Sequence, residues 1–176
     1  MLTAKQNTAL SALFKILILL SCVLGISQHS SSLSSGFMHS VFTAFTTQSN
    51  IWIALICIIF LVLDTAGVHH KPQWLYTIKF MFTSSILLTW IVFAVLLAPI
   101  LKPSYILSPS NLFLHSLTPI LSAADFLLFQ DASKSGTKHL WAVLIMPLAY
   151  MTFAFISYEQ LGFLPTYYFF LDYKKS

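Results

Sequence analysis

Phe45-Thr46-Thr47-Gln48-Ser49-Asn50-Ile51-Trp52-Ile53-Ala54-Leu55 opens a stretch that stays apolar through Leu63. From Ile51 to Leu63 no side chain is charged and none carries a hydroxyl or amide. Read back to residue 37, the segment is long enough to cross a bilayer, which takes about 20 apolar residues for about 30 Å of hydrocarbon. The five polar side chains behind Phe45 then sit inside a membrane helix, where lipid offers them no partners. An unpaired hydroxyl or amide costs roughly 2–7 kcal/mol on transfer out of water. The cluster should therefore face other helices or a wet pocket.

Composition agrees with a membrane fold. Of 176 residues, 57% are apolar and only 8% charged, and the mean hydropathy is +0.82. A soluble domain would carry about 25% charged residues. The nine basic residues are all lysine, giving a net charge of +4. Most lie near the ends of apolar runs, as topology signals do, so the basic balance does not point to nucleic acid. Cys22 and Cys57 both fall within apolar runs. No disulfide framework and no metal, nucleotide or haem signature appears, and no cofactor is expected.

Five spans follow, at residues 10–26, 37–63, 76–101, 111–129 and 139–158, making one transmembrane helical domain over 1–176. The expected class is an all-α polytopic bundle in a lipid bilayer, since no alternating barrel pattern is present. Lys15 lies within the first span and reads as snorkelling to its N-terminal end. The same span also resembles a cleavable leader, although apolar residues continue past Cys22. His69 and His70 read as solvated residues of a polar connection, and Lys102-Pro103 ends the third span. The aromatic tail Thr166-Tyr167-Tyr168-Phe169-Phe170-Leu171 is too short to span and reads as an interfacial or re-entrant segment. With the N-terminus inside, Lys5, Lys71, Lys79, Lys134 and Lys138 fall on the cytoplasmic side. Lys102, Lys174 and Lys175 fall outside, which favours that orientation in a cell membrane.

Counting about 100° per residue, His39, Thr43, Thr46, Thr47 and Asn50 share a face of the second span. In the fourth, His115, Thr118, Ser122 and Asp125 recur at intervals of three, four and three. The plain reading of such stripes is hydrogen bonding between helices, at about 0.6 kcal/mol per contact. It accounts for Thr118 and Ser122 better than for His115 and Asp125, because ionisable residues within a membrane are functional candidates. A threonine facing a histidine is also the minimal pair of nucleophile and general base.

Phe45-Thr46 with Gln48-Ser49-Asn50, His115 four residues before Pro119, Asp125, and the late Tyr168-Phe169-Phe170-Leu171-Asp172 resemble the androgen-induced protein family of multi-pass membrane hydrolases. The likeness is closest to its bacterial members and runs from the second span to the C-terminus. It implies hydrolysis of fatty acid esters of hydroxy fatty acids by a threonine and a histidine on different helices. His115 matches the histidine. Aligning on the Phe-Thr pair selects Thr46, and the pattern of Thr three residues before Asp or Asn selects Thr47. The family usually has six spans, and this chain stops where the sixth would begin.

The expected function is thus a membrane-embedded ester hydrolase with a lipid-like ester substrate and, of Thr46 and Thr47, Thr46 favoured as nucleophile because it lies closer to the centre of the polar stripe. Gln48, Ser49, Asn50 and Asp125 are the supporting candidates, with an amide of Gln48 or Asn50 offered to the oxyanion. The rival expectation is a lipid- or small-molecule-binding bundle, or a proton-linked carrier using His115 and Asp125. Neither expectation fixes an oligomeric state.

Overall fold

The computed structural model describes residues 4–31, 42–68, 70–130, 137–161 and 172. These form an all-α bundle with five helices long and apolar enough to cross a membrane. They are α1 (Ala4–Ser31), α2 (Phe45–Thr65), α3 (Gln73–Ile100), α4 (Pro109–Phe129) and α5 (Ile145–Leu161), the last entered through a 3-10 segment, Thr137–Leu144. The helix ends differ from the expected spans most at α1, which is longer at both ends than 10–26, and at the start of α2. There the chain is extended at Ala44, with ψ of 136°, so α2 begins at Phe45, and residues 37–41 of the expected span lie outside the described residues. Thr43 is buried just before this break, while His39 and the aromatic tail at 166–171 lie outside the described residues.

Short connections make the first four helices run up and down. α2 ends in a Schellman turn: Val68 N–H donates to Leu63 O at 2.9 Å and Gly67 N–H to Asp64 O at 3.2 Å. Gly67 supplies the left-handed residue, at φ +73°, that this turn requires. Each of the four helices packs against two antiparallel neighbours, in the cyclic order α1, α2, α3, α4, and α5 lies outside this square against α3.

The surface and interior exchange their usual chemistry. Val23, Leu55, Val62, Val95, Ile120 and Leu127 face outward, while Lys15, Asn50, Lys79, Thr118, Ser122 and Asp125 are buried. An apolar exterior this continuous marks a bilayer-facing surface. The apolar part of the interior is a cluster of Ile18, Cys22, Ile53, Ile56, Cys57 and Phe60 between α1 and α2, extended by Leu75 and Tyr76 of α3. Above it, towards the start of α2, the interior is polar.

Two of the helices contain a widened turn. In α3 the segment Phe93–Leu97 is a π-helical turn followed by a 3-10 turn containing Pro99, and in α4 Phe113–Leu117 is a π-helical turn followed by Pro119. The cause is the same in both. A proline lacks the N–H that would bond four residues back, and its ring clashes with that carbonyl. The carbonyls so displaced belong to Val95 and His115, each at the middle of its π turn. A π turn is the local rearrangement that accommodates this, and such turns frequently occur at functional sites.

Candidate active site

The π turn of α4 carries His115 and is held by the two neighbouring helices. Asn50 of α2 donates one amide N–H to the Leu114 carbonyl at 3.2 Å and the other to Thr46 O at 2.8 Å. From α1, the Ser21 hydroxyl lies 2.8 Å from that of Thr118 and 3.4 Å from the Phe113 carbonyl. The Cys22 thiol donates to the Asn50 carbonyl at 3.4 Å. Carbonyls displaced from α-helical pairing must find donors when no water reaches them. Asn50 provides one to the Leu114 carbonyl, and the Ser21 hydroxyl adds a longer bond to the Phe113 carbonyl, which already accepts the Thr118 N–H across the turn. Close approach of α1 is possible because residue 25 is glycine: a Cβ there would lie 2.6 Å from Leu114 Cδ2 and 3.0 Å from Phe113 Cβ.

The His115 ring is placed by a second contact. It stacks on Phe93, in the π turn of α3, with centroids 4.0 Å apart and planes inclined by 16°. Both widened turns thus meet face to face through these rings. His115 is 8% exposed and opens onto a cavity of about 190 Å³.

That cavity lies among α2, α3, α4 and α5. Phe45, Leu88, Val92, Leu97, Pro147 and Met151 give it an apolar wall, and Thr46, Thr89, His115 and Tyr150 are the lining residues that carry polar groups. The Phe45 ring packs 5.0 Å from that of Tyr150 and so ties α5 to the head of α2. Thr89 is joined to α2 by a hydrogen bond of 2.9 Å between its hydroxyl and that of Ser49. An apolar cleft with a few convergent polar groups is the usual form of a small-molecule or lipid site.

The residues expected from the sequence divide cleanly. Thr46 and His115 share the cavity wall. Thr47 is buried but does not line the cavity. Ser49 reaches it only through Thr89. Gln48 donates outward to Phe42 O at 3.3 Å. Asn50 has both amide hydrogens committed to carbonyls, so neither amide is placed to meet an oxyanion in the cavity. Thr89 and Tyr150 are among the lining residues instead, and nothing in the stripe periodicity pointed to them.

Asp125 serves a different centre. It lies ten residues past His115, about 15 Å along the helix. Its Oδ1 is 2.9 Å from Lys15 Nζ and its Oδ2 is 2.5 Å from Lys79 Nζ. Lys15 therefore does not snorkel outward as its sequence position suggests. It is 2% exposed, and its ammonium also donates to the Ser11 hydroxyl and, at 3.3 Å, to the Ser11 carbonyl. The reason is depth. Lys15 of α1, Lys79 of α3 and Asp125 of α4 come to one level of the bundle, and a carboxylate with two ammonium partners lowers the cost of burying each. Between this triad and His115 the α4 stripe continues through Ser122, which donates to Thr118 O at 2.7 Å, and Thr118 itself.

No family model, curated protein or solved structure matches this chain.

Proposed function

We propose that the chain is a membrane-embedded ester hydrolase for a lipid-like substrate, with Thr46 as nucleophile and His115 as its base. The observation that carries this reading is that Thr46 and His115, on different helices, line one apolar cavity within the bundle. An acyl ester entering from the lipid would bring its carbonyl to the only polar part of that wall. His115 would take the Thr46 hydroxyl proton as Thr46 Oγ1 attacks the carbonyl carbon. The same proton would then pass to the departing alcohol, leaving an acyl-threonine ester. Water, deprotonated by His115, would attack that ester and release the carboxylic acid and free Thr46. Tyr150, which lines the cavity, would donate to the oxyanion, whereas the Thr89 hydroxyl hydrogen is already given to Ser85 O at 3.2 Å or to Ser49.

The resemblance to the androgen-induced protein family supports the same dyad, and through it fatty acid esters of hydroxy fatty acids as the substrate class. The lysine distribution supports placement in the cell membrane with the N-terminus cytoplasmic. A second reading, a proton-linked carrier, is favoured by one observation only: Ser21, Thr118 and Ser122 are buried between His115 and the Asp125 triad.

The test is labelling of the purified, detergent-solubilised protein with a tagged fluorophosphonate, which reacts with activated hydroxyls. Wild type and Thr47→Ala should label, and Thr46→Ala and His115→Ala should not. Folded wild type that fails to label, or Thr46→Ala that labels like wild type, would remove the hydrolase reading in this form and leave the carrier.

A further inference from the structure

The bundle holds a second cavity, of about 250 Å³, at the end opposite the Thr46 and His115 site. Its character is inverted. Lys15, Lys71 and Lys79 line it, together with Asp64 and polar side chains of α1 such as Asn7 and Ser11. Lys15 is saturated by Asp125 and Ser11. Lys71 is paired with Asp64 and donates to Val68 O at 3.1 Å. Lys79 differs: among the described residues its one oxygen partner is Asp125, although an ammonium carries three donors and this side chain is 3% exposed.

Lys79 and Lys71 also approach the same ring. Their Nζ atoms stand 4.8 Å and 5.6 Å from the centre of Phe60. Two like charges brought to one ring in a low-dielectric setting repel each other unless an anion lies between them. Among the described residues one carboxylate, Asp64, lines this cavity and a second, Asp125, pairs with Lys15 and Lys79 from behind it, against three ammonium groups. The excess is one positive charge beside a polar space that Phe60, Leu128 and Phe129 border on their apolar side.

We infer that this cavity is an oxyanion site of the phosphate class, with Lys79 and Lys71 as its two cationic ligands and Phe60 as its floor. The ligand is an anionic phospholipid headgroup entering from the adjacent leaflet, or free phosphate, which presents the same oxygens. Basic pockets between membrane helices suit such headgroups. Hydroxyl and amide side chains around the two lysines complete the set of groups able to reach phosphate oxygens. The site is independent of the hydrolase reading, since no residue of one cavity lines the other.

The test is thermal unfolding of the full-length protein in neutral detergent, followed by tryptophan fluorescence. Inorganic phosphate is compared with chloride at equal ionic strength, and micelles doped with phosphatidylglycerol are compared with phosphatidylcholine. Saturating ligand should raise Tm by about 3 °C or more in wild type. Lys71→Gln, which alters the cavity without breaking the Asp125 triad, should abolish the rise. Lys102→Gln, an exposed lysine at the far end, should keep it. A rise with phosphate identifies a free-oxyanion site, and a rise with phosphatidylglycerol alone identifies the headgroup. No rise with either, a rise retained in Lys71→Gln, or one lost equally in Lys102→Gln would overturn the assignment and leave an internal ion cluster only.

Discussion

The His115 imidazole lies against the Phe93 ring at 4.0 Å, nearly parallel, each ring projecting from a π-helical turn that a proline imposes on its helix. A general base works only when its ring is held at the proton it must take, and displacement of about 1 Å can cost about a hundredfold in rate. The stack fixes the plane of His115, which shares the cavity wall with Thr46. Phe93→Leu keeps most of the apolar volume but removes the flat surface. It should slow fluorophosphonate labelling about tenfold to a hundredfold while the protein remains folded, and Phe93→Tyr should restore most of the rate. A Phe93→Leu protein labelled at the wild-type rate would mean that the ring does not position the base.

Asn50 has a role that its place in the polar cluster did not suggest. Its amide is the donor that satisfies the Leu114 carbonyl inside the π turn. In Asn50→Leu, of similar shape, that buried carbonyl loses its partner, at a cost of about 1–3 kcal/mol. Thr46 O is less affected because the Ser49 hydroxyl also donates to it, at 3.0 Å. Tm should fall by about 2–4 °C for each kcal/mol lost. The effect on labelling should exceed what instability explains, because the turn that carries His115 is loosened. An Asn50→Leu protein as stable as wild type would show that the turn needs no cap.

Gly25 permits α1 to lie against that same turn. In Gly25→Ala the new methyl would meet Leu114 Cγ at 2.7 Å and Phe113 Cβ at 3.0 Å, which the backbone must relieve by moving. Overpacking of this kind costs about 1–3 kcal/mol. The double variant Gly25→Ala with Leu114→Ala removes the obstructing side chain and should recover part of the loss in Tm, so that the two changes are not additive. Strict additivity would place the strain of Gly25→Ala elsewhere.

How far the sequence discloses this molecule depends on the range of the interaction. The five helices are legible because hydropathy over about 20 residues is a local property, and the α4 stripe from His115 to Asp125 is legible because periodicity is local too. The distinction between Thr46 and Thr47 is one of 100° of rotation, which needs the partner helices to become meaningful. The π turns are hidden in composition, although Pro99 and Pro119 mark where α-helical pairing must fail. Lys79 was legible only as a topology signal. Laying antiparallel spans beside each other would have brought it level with Lys15 and Asp125, because all three stand within a few turns of the same end of the bundle.

That ion cluster leads to the sharpest contrast between variants. Asp125 is fully buried and is shared by two ammonium groups. Asp125→Asn removes the carboxylate charge and leaves Lys15 and Lys79 facing each other across a site with little solvent. Breaking one partner of a buried pair costs about 3–5 kcal/mol, whereas replacing the whole cluster by apolar residues of similar size is often neutral or better. The triple variant Lys15→Met, Lys79→Met, Asp125→Leu should therefore unfold at or above the wild-type Tm, and Asp125→Asn should unfold far below it or fail to accumulate. Because Thr46 of α2 and His115 of α4 are untouched at the other end of the bundle, the triple variant should still label with fluorophosphonate, within about threefold of wild type, since sites this far apart couple weakly. It should no longer be stabilised by phosphate, having lost Lys79. A triple variant that folds but cannot label would instead join the two ends through the Thr118 and Ser122 column, the arrangement a proton-linked carrier requires.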